Sequence, residues 1–485
     1  MAKLFVDQTL SKAKSYARKG ETEEAQKLYQ TVLQAFPKNG RAQKGLNALN
    51  KPKLLNSTQS PPQETINKLI VLYNQGKLAA VVEQAQALTR IYPNEIIIWN
   101  ILGGAAAQTG QIDQAINAFK RVTAIKPDYA DAYYNMGVVL KDQGKLEEAI
   151  EAYKKALSLK PDYADACNKM GNALKDQGKP EEAIEAYKKA LSLKPDFADA
   201  YNNMGVVLKD QGKLEDAIEA YKKALSLKPD YAGACNNMGN ALKDQGKLEE
   251  AIEAYKKALS LKPDYSQASH ILSSLTGKTT QSAPREYVEN LFDRYAYKFD
   301  QSLVEKLSYD IPEVITQLAV QKHGGGSLGS ILDLGCGTGL TGEKIRPHCT
   351  NLEGIDLSKN MLEIAKSKNV YDELDHVDIV GYLSNAMLDF DYFIATDVFI
   401  YVGDLSEVFR LIKVRNKKPG KLIFSTEHTN EKGFHLEKSG RYSHSTSYIE
   451  ELCKEFKFSI SHFSETNLRK EKGSFLIGGL YFLDF

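Results

Sequence analysis

A 34-residue period governs more than half of this chain and limits what it can fold into. Segments 129–162, 163–196, 197–230 and 231–264 align without gaps, and each closes with Ala-Leu-Ser-Leu-Lys-Pro-Asp. Segments 129–162 and 197–230 differ at 3 of 34 positions, as do 163–196 and 231–264, whereas neighbours differ at 6 or 7. The unit of duplication is therefore a 68-residue pair. Weaker copies precede it at 95–128, 61–94 and 6–39, and the stretch from Gly40 to Pro62, with Ser57, Thr58, Ser60 and Pro61, reads as a short helix plus linker. Within 129–162 the apolar spacing predicts two helices. One runs from about Ala130 to Gln143 with Tyr133, Met136 and Leu140 on one face. After Gly144, a second runs from about Leu146 to Leu159 and is ended by Pro161. One such pair cannot bury its apolar face alone, so neighbours must stack.

Gly137, Ala149, Tyr153, Ala156 and Pro161 stand where the tetratricopeptide repeat has its signature residues, and the chain resembles that family over roughly residues 6–277. Tyr265 to Leu275 looks like the solvating cap helix of such arrays. The resemblance implies a concave groove lined by the first helix of each repeat. Asn135, Lys169, Asn203 and Asn237 occupy one equivalent position there, and Asn172 and Asn240 a second. A ladder of amides pairs with an extended peptide backbone without reading its side chains, as in O-linked N-acetylglucosamine transferases with similar repeats. A protein or peptide partner in the groove is the expectation; an array serving as a spacer or oligomerisation surface is the alternative. Cys167 and Cys235, also equivalent, read as small packing residues.

Beyond Leu275 the period ends. Thr276 to Pro284 reads as a polar linker, after which strands alternate with helices. Strands are expected at 330–334, 351–355, 377–380, 392–395, 421–426, 459–463 and 475–483. Helices are expected from Leu340, over 359–368, near 404–414 and over 446–456. This alternation predicts a doubly wound, mostly parallel sheet with its ligand at the carboxyl ends of the strands. The first strand runs into Gly335-Cys-Gly-Thr-Gly339. A dinucleotide fingerprint would place a third glycine at 340, where Leu340 stands.

The pattern Asp333-x-Gly335-x-Gly337-x-Gly339 instead resembles motif I of class I S-adenosylmethionine-dependent methyltransferases. The expected fold is thus a tetratricopeptide α-solenoid followed by a Rossmann-like domain with a seven-stranded sheet. The expected boundaries are 1–60, 61–277 and 278–485. The chemistry suits S-adenosylmethionine: glycines allow close backbone approach, and the following helix N-terminus favours a carboxylate. Cys336 and Thr338 lie in the same turn. Asp356, ending the second strand beside Leu357, can accept both ribose hydroxyls. The resemblance further implies adenine contacts from Asp378 and Ile379. It also implies a lid from the amphipathic segment 285–300, with Tyr287, Tyr295 and Phe299 as covering residues or, equally, core. Asp397 follows the fourth strand on the loop facing the transferred methyl. Candidate general bases are Asp397, Tyr401, His428 and His444, and Arg441 is suited to an acidic acceptor. The histidines 323, 348, 376, 435 and 462 show no metal-ligand spacing.

Composition excludes several classes. Net charge is +1 with 26% charged residues, and residues 285–485 carry 24 Lys+Arg against 30 Asp+Glu, which argues against a nucleic-acid substrate. No apolar run reaches the roughly 18–20 residues of a membrane helix; the richest, Tyr392 to Val402, is broken by Asp397. The N-terminus lacks a signal-peptide core, and five cysteines without a C-x-x-C pair suit a reduced cytoplasm. The expected function is methyl transfer by the C-terminal half with a protein or peptide recruited by the repeats. A tethered small-molecule methyltransferase and a non-catalytic scaffold are the alternatives.

Overall fold

The computed structural model describes residues 2–19, 21–50, 60–471 and 474–485. Ser57 and Thr58 of the expected first linker lie outside the described residues. The chain falls into two compact units, Met1–Pro195 and Asp196–Phe485. The helix pairs of the last two repeats fall within the second range.

Each 34-residue segment forms two helices; in 129–162 they are Ala130–Asp142 and Leu146–Leu159. A glycine of the first helix lies against an aromatic ring of the second. A Cβ on Gly137 would sit 2.7 Å from Tyr153 Cε1, and on Gly171, Gly205 and Gly239 it would sit 2.6, 2.7 and 2.9 Å from Tyr187, Tyr221 and Tyr255. All four rings are fully buried. Any larger residue would force the helices apart, so this contact sets their spacing.

Those buried phenols need hydrogen-bond partners. Tyr187 donates to Asn172 Oδ1 and Tyr255 to Asn240 Oδ1, both at 2.7 Å. The equivalent positions in the alternate repeats are Val138 and Val206, and there the Tyr153 and Tyr221 hydroxyls have no partner. The 68-residue alternation is thus an alternation of satisfied and unsatisfied phenols. The carboxamide oxygens of Asn172 and Asn240 are thus taken up inside their own repeats. Asn135 and Lys169 in the first unit, and Asn203 and Asn237 in the second, are half-buried; Asn237 Nδ2 donates to Asn202 Oδ1 at 3.0 Å. Cys167 and Cys235 are buried, in keeping with small-residue packing.

Helix α1 (Ser266–Leu275) follows the last pair. Next come α2 (Arg285–Asp300), a π-helical turn over Gln301–Lys306, and α3 (Ile311–His323). The sheet region then runs β1 (Ser330–Leu334), α4 (Leu340–Ile345), β2 (Asn351–Asp356), α5 (Lys359–Ser367), β3 (Glu373–His376), α6 (Ile379–Asn385), β4 (Tyr392–Ala395), α7 (Ser406–Arg415), β5 (Lys421–His428), β6 (Phe434–Leu436), β7 (Tyr442–His444), α8 (Thr446–Phe456), β8 (Ser459–Glu471) and β9 (Ser474–Asp484). Strands β3-β2-β1-β4-β5 are parallel neighbours, β9 lies antiparallel to β5, and β8 pairs with β9. Alternate residues face opposite sides. Ile331, Ile394, Ile423 and Phe482 pack with α3, while Leu332, Phe393, Leu422 and Phe424 pack with α7 and α8.

Two expectations change. Among the described residues the sheet has nine strands, not seven. The two additions form a ribbon: β7 continues the end of β5 through Glu427↔Ser443 and His428↔His444, and β6 pairs with β7. Segment 377–380 is not a strand either. The third strand is the short edge Glu373–His376, and Asp378 Oδ1 accepts from Gly381 N at 2.7 Å to cap α6.

Asn172→Val should lower thermal stability by about 1–3 kcal/mol by stranding the Tyr187 hydroxyl. Val138→Asn should raise it by giving Tyr153 an acceptor. Thermal denaturation of both variants checks the pairing, and a Val138→Asn protein no more stable than the parent would reject it.

Candidate active site

The parallel sheet reverses order between β1 and β4, and there, at the carboxyl ends of the strands, lies a cavity of about 750 Å³. Its floor is the turn after β1. Gly335 and Gly337 have φ of +75° and +55°, a region that costs other residues energy, and a Cβ on Gly337 would meet no atom within 4 Å. The open space above this backbone is a cradle for a ligand. Asp356 stands at the end of β2; Oδ2 accepts from Gly337 N at 2.9 Å and Oδ1 from Ser358 N at 2.7 Å. Burial raises its pKa, and those amides oppose the rise. A carboxylate anchored by the backbone yet lining the cavity keeps lone pairs for a diol. Asp333 lies just behind: Tyr371 donates to Oδ2 at 2.7 Å, Oδ1 has no partner, and burial pushes its pKa up to about 7.

The roof is α2. Asp293 accepts from Ser358 Oγ at 2.5 Å and Asn360 N at 3.2 Å. Asp300 accepts from the Thr338 hydroxyl and pairs with Lys368 at 2.9 Å. These bonds hold Tyr287, Leu291, Phe292, Tyr295 and Phe299 along the cavity. Tyr295 keeps 55% of its surface exposed, as a roof residue does.

Beyond the cradle the cavity ends in a charged network. Asp397, in left-handed backbone at φ +59°, takes Arg469 Nη1 on both oxygens at 2.5 and 2.6 Å. Arg469 Nη2 reaches Glu427 Oε1 at 2.5 Å, and Arg441 Nε reaches the same oxygen, with its Nη2 on Glu471. Burial raises the Glu427 carboxyl and the two guanidiniums oppose it. Tyr309, Tyr401 and Tyr287 complete this end, each with its phenol pushed up by burial.

Of the residues expected to contact a cofactor, Gly335, Cys336, Gly337, Thr338, Asp356, Leu357, Asp378, Ile379 and Tyr295 line the cavity; Asp333 and Gly339 stand behind it. Asp397 and Tyr401 line it too, but His428 and His444 do not. His444 is fully buried in β7, its Nε2 on the Val402 and Gly403 carbonyls at 3.0 and 2.9 Å, and burial lowers its pKa to about 4. It pins the turn after β4 as a neutral ring. His428 ends β5 with a buried Nδ1 that has no partner. Sequence reasoning missed Arg469, because a bulge between Asn467 and Arg469 turns two consecutive residues, Leu468 and Arg469, inward. Among the described residues no group of three or more His, Cys, Asp or Glu side chains converges as metal ligands.

Comparisons with known proteins follow this division. A TPR repeat model matches residues 103–144, 139–178, 171–212 and 207–246, tetratricopeptide repeat models match 232–265 and 10–39, and a methyltransferase domain model matches 332–422. The chain carries a methyltransferase domain after an array of tetratricopeptide repeats. The methyltransferase domain carries the cradle and Asp356. A protein from Geobacillus sp. (strain WCH70), named as a methyltransferase, is 27% identical over 187 residues, 36% of this chain and 73% of that one. Ubiquinone biosynthesis O-methyltransferase of Coxiella burnetii (strain Dugway 5J108-111) is 27% identical over 107 residues, 21% of this chain, which spans 46% of that enzyme's length. Among solved structures, MamA is 32% identical, with 35% of this chain and 92% of that one covered and a TM-score of 0.32.

Arg469→Met leaves two buried carboxylates against Arg441 alone and should cost about 3–5 kcal/mol in denaturant unfolding, with Asp397→Asn in the same background recovering part. Between about pH 4 and 7 the folded chain keeps a proton on Asp333 that the unfolded chain has lost, so this group's contribution falls as pH rises through that window. Thermal midpoints at pH 5 and 8 should therefore differ less in Asp333→Asn than in the parent.

Proposed function

We propose that the methyltransferase domain takes its methyl group from S-adenosylmethionine, and that the repeat array recruits a protein or peptide. The observation that carries the cofactor is the open backbone at Gly337 beside the anchored carboxylate of Asp356. In this reading the backbone of Gly335 to Thr338 holds the amino-acid end of the cofactor, and Asp356 holds the ribose. Asp378, Leu357 and Ile379 flank the adenine, and Tyr295 and Phe299 cover it. When bound, the cofactor supplies a methyl group already activated on a sulfonium.

The chain's own contribution is then positioning and exclusion of water. Helix α2 roofs the reacting centre and Tyr401 borders it. Asp397 is the one candidate base with a carboxylate in the cavity, and its pairing with Arg469 makes it an orienting group first. His428 and His444 are not carried forward as bases. Asn135, Lys169, Asn203 and Asn237 remain the candidate partner contacts. Among the described residues no helix is long and apolar enough to cross a membrane, and the free cysteines suit a cytoplasmic setting.

A second reading, a small-molecule acceptor, is favoured by the cavity itself. At about 750 Å³ under a roofing helix, it matches the size of clefts that enclose small ligands. The likeness to ubiquinone biosynthesis O-methyltransferases supports the same acceptor class.

Asp356→Ala should weaken S-adenosylhomocysteine binding in calorimetry by at least about tenfold, roughly 1.4 kcal/mol; unchanged affinity would remove the cofactor assignment. Methyl-tritiated S-adenosylmethionine, incubated with the protein and a desalted extract with or without its small molecules restored, separates the two acceptors. Label in a protein band supports recruitment through the repeats. Label confined to restored small molecules supports the second reading.

A further inference from the structure

The closing helix of the repeat array, α1, is bonded to residues beside the cavity wall. It bears His270, only 2% exposed. Its Nε2 lies 2.8 Å from the carbonyl oxygen of Gly440, at the tip of the β6–β7 ribbon. Gly440 has φ +86°, and a Cβ there would meet Ile271 Cδ1 at 2.9 Å and the Tyr287 hydroxyl at 3.4 Å. The His270 ring also packs on Tyr287 and Tyr442, with centroids 4.7 and 6.1 Å away. Further bonds join the same elements. Thr279 Oγ1 accepts from Leu436 N at 3.4 Å, Thr280 and Tyr442 share a hydroxyl bond of 2.5 Å, and Ser266 Oγ donates to Glu286 at 2.9 Å.

The other side of these residues is the cavity. Ser439 and Arg441, the neighbours of Gly440, line it, and so does Tyr287. The ribbon tip is a tight turn closed on itself, with Gly440 N on the Glu437 carbonyl and Glu437 N on the Arg441 carbonyl, both at 2.8 Å. Its outward carbonyl is the one His270 takes. From Arg441 the bonds continue to Glu427, Arg469 and Asp397. A residue of the array therefore stands at one end of an unbroken chain of contacts whose other end is the loop after β4. The ring is suited to this place: burial holds it neutral, so one nitrogen carries the hydrogen that Gly440 accepts, and its flat face fits between Tyr287 and Tyr442.

We infer that His270 is a positioning residue for the acceptor end of the cavity, acting through Gly440 and Tyr287 to hold Ser439 and Arg441 in the wall. The inference rests on the cavity being the site of methyl transfer. It makes the last helix of the array part of the enzyme rather than its handle. The ring and hydrogen-bond partners of His270 are Gly440, Tyr287 and Tyr442, none of which belongs to β1, β2 or α5 of the cofactor end.

The test uses the full chain with His270→Ala and His270→Gln; the Gln amide restores a donor toward Gly440. Three quantities are read: calorimetric affinity for S-adenosylhomocysteine, hydrogen exchange of the peptide spanning 437–443, and label transfer from methyl-tritiated S-adenosylmethionine into the whole extract. His270→Ala should keep cofactor affinity within about twofold of the parent. Exchange in 437–443 should speed up, and transfer should slow, by about tenfold, the worth of one buried hydrogen bond. His270→Gln should recover most of both. Exchange at the parent level in His270→Ala overturns the inference. So does faster exchange with transfer at the parent rate, which would make His270 mere glue between two elements. A parent protein that fails to bind S-adenosylhomocysteine refutes the cofactor reading instead, a result separate from the exchange data.

Discussion

The amide of Ala283 donates to the carbonyl of Tyr401 at 3.0 Å, and that of Asp404 to the carbonyl of Gln281 at 2.7 Å. Between them Ser282 bridges Val402. These few backbone bonds fasten the segment after the last repeat onto the turn that follows β4, and much of the second unit depends on them. With the strap in place, Ala283 and Val288 enter a small apolar cluster with Leu436 and Tyr442. Helix α2 starts at a defined point, and its aromatic face lies over the sheet's open end. The segment that reads as a polar linker is thus bonded to that turn and to the ribbon. Thr279 and Thr280 spend their hydroxyls on the ribbon, and Thr276 its own on the carbonyls of Leu272 and Ser273.

The charged network at the far end of the cavity is held differently. Four ionised side chains there, Asp397, Glu427, Arg441 and Arg469, are largely removed from water. Burying them carries a desolvation cost that their attraction offsets only when geometry and hydrogen bonding are complete. An apolar core of equal volume would serve stability as well or better. What the ions add is direction. Each guanidinium is planar and bonded at two positions, so the loop bearing Asp397 and the ribbon bearing Arg441 cannot shift independently. A pocket that holds reacting groups in fixed places benefits from such fixity more than from net stabilisation.

Periodicity made the repeats legible down to individual helix ends, because the four near-identical copies repeat the same glycine–tyrosine contact. The cradle was legible as well, since a glycine-rich turn between a buried strand and a helix has few uses. Other features were hidden for physical reasons. Asn172 and Asn240 look like groove residues on a helical wheel, yet their partners are tyrosines fifteen residues on, across the pair. Val377 to Val380 is apolar enough for a strand, but Asp378 caps a helix there and the valines face a cavity. Segment 434–444 lacks strand composition; its pairing comes from the end of β5, which no local pattern announces. Arg469 owes its burial to a bulge, and an odd residue in a strand reverses which side chains point inward without changing composition at all.

The near identity of the 68-residue pairs has a consequence for how such a chain can vary. Each repeat touches mainly its neighbours, whereas the bonds to the sheet come from α1 and the segment after it. Unequal exchange between near-identical copies would add or remove whole pairs upstream, and the alternation of asparagine and valine would survive because pairs move together. The array can thus change its reach in steps of one pair while everything downstream of Tyr265 stays in register. Length becomes a free variable and the joint a constant.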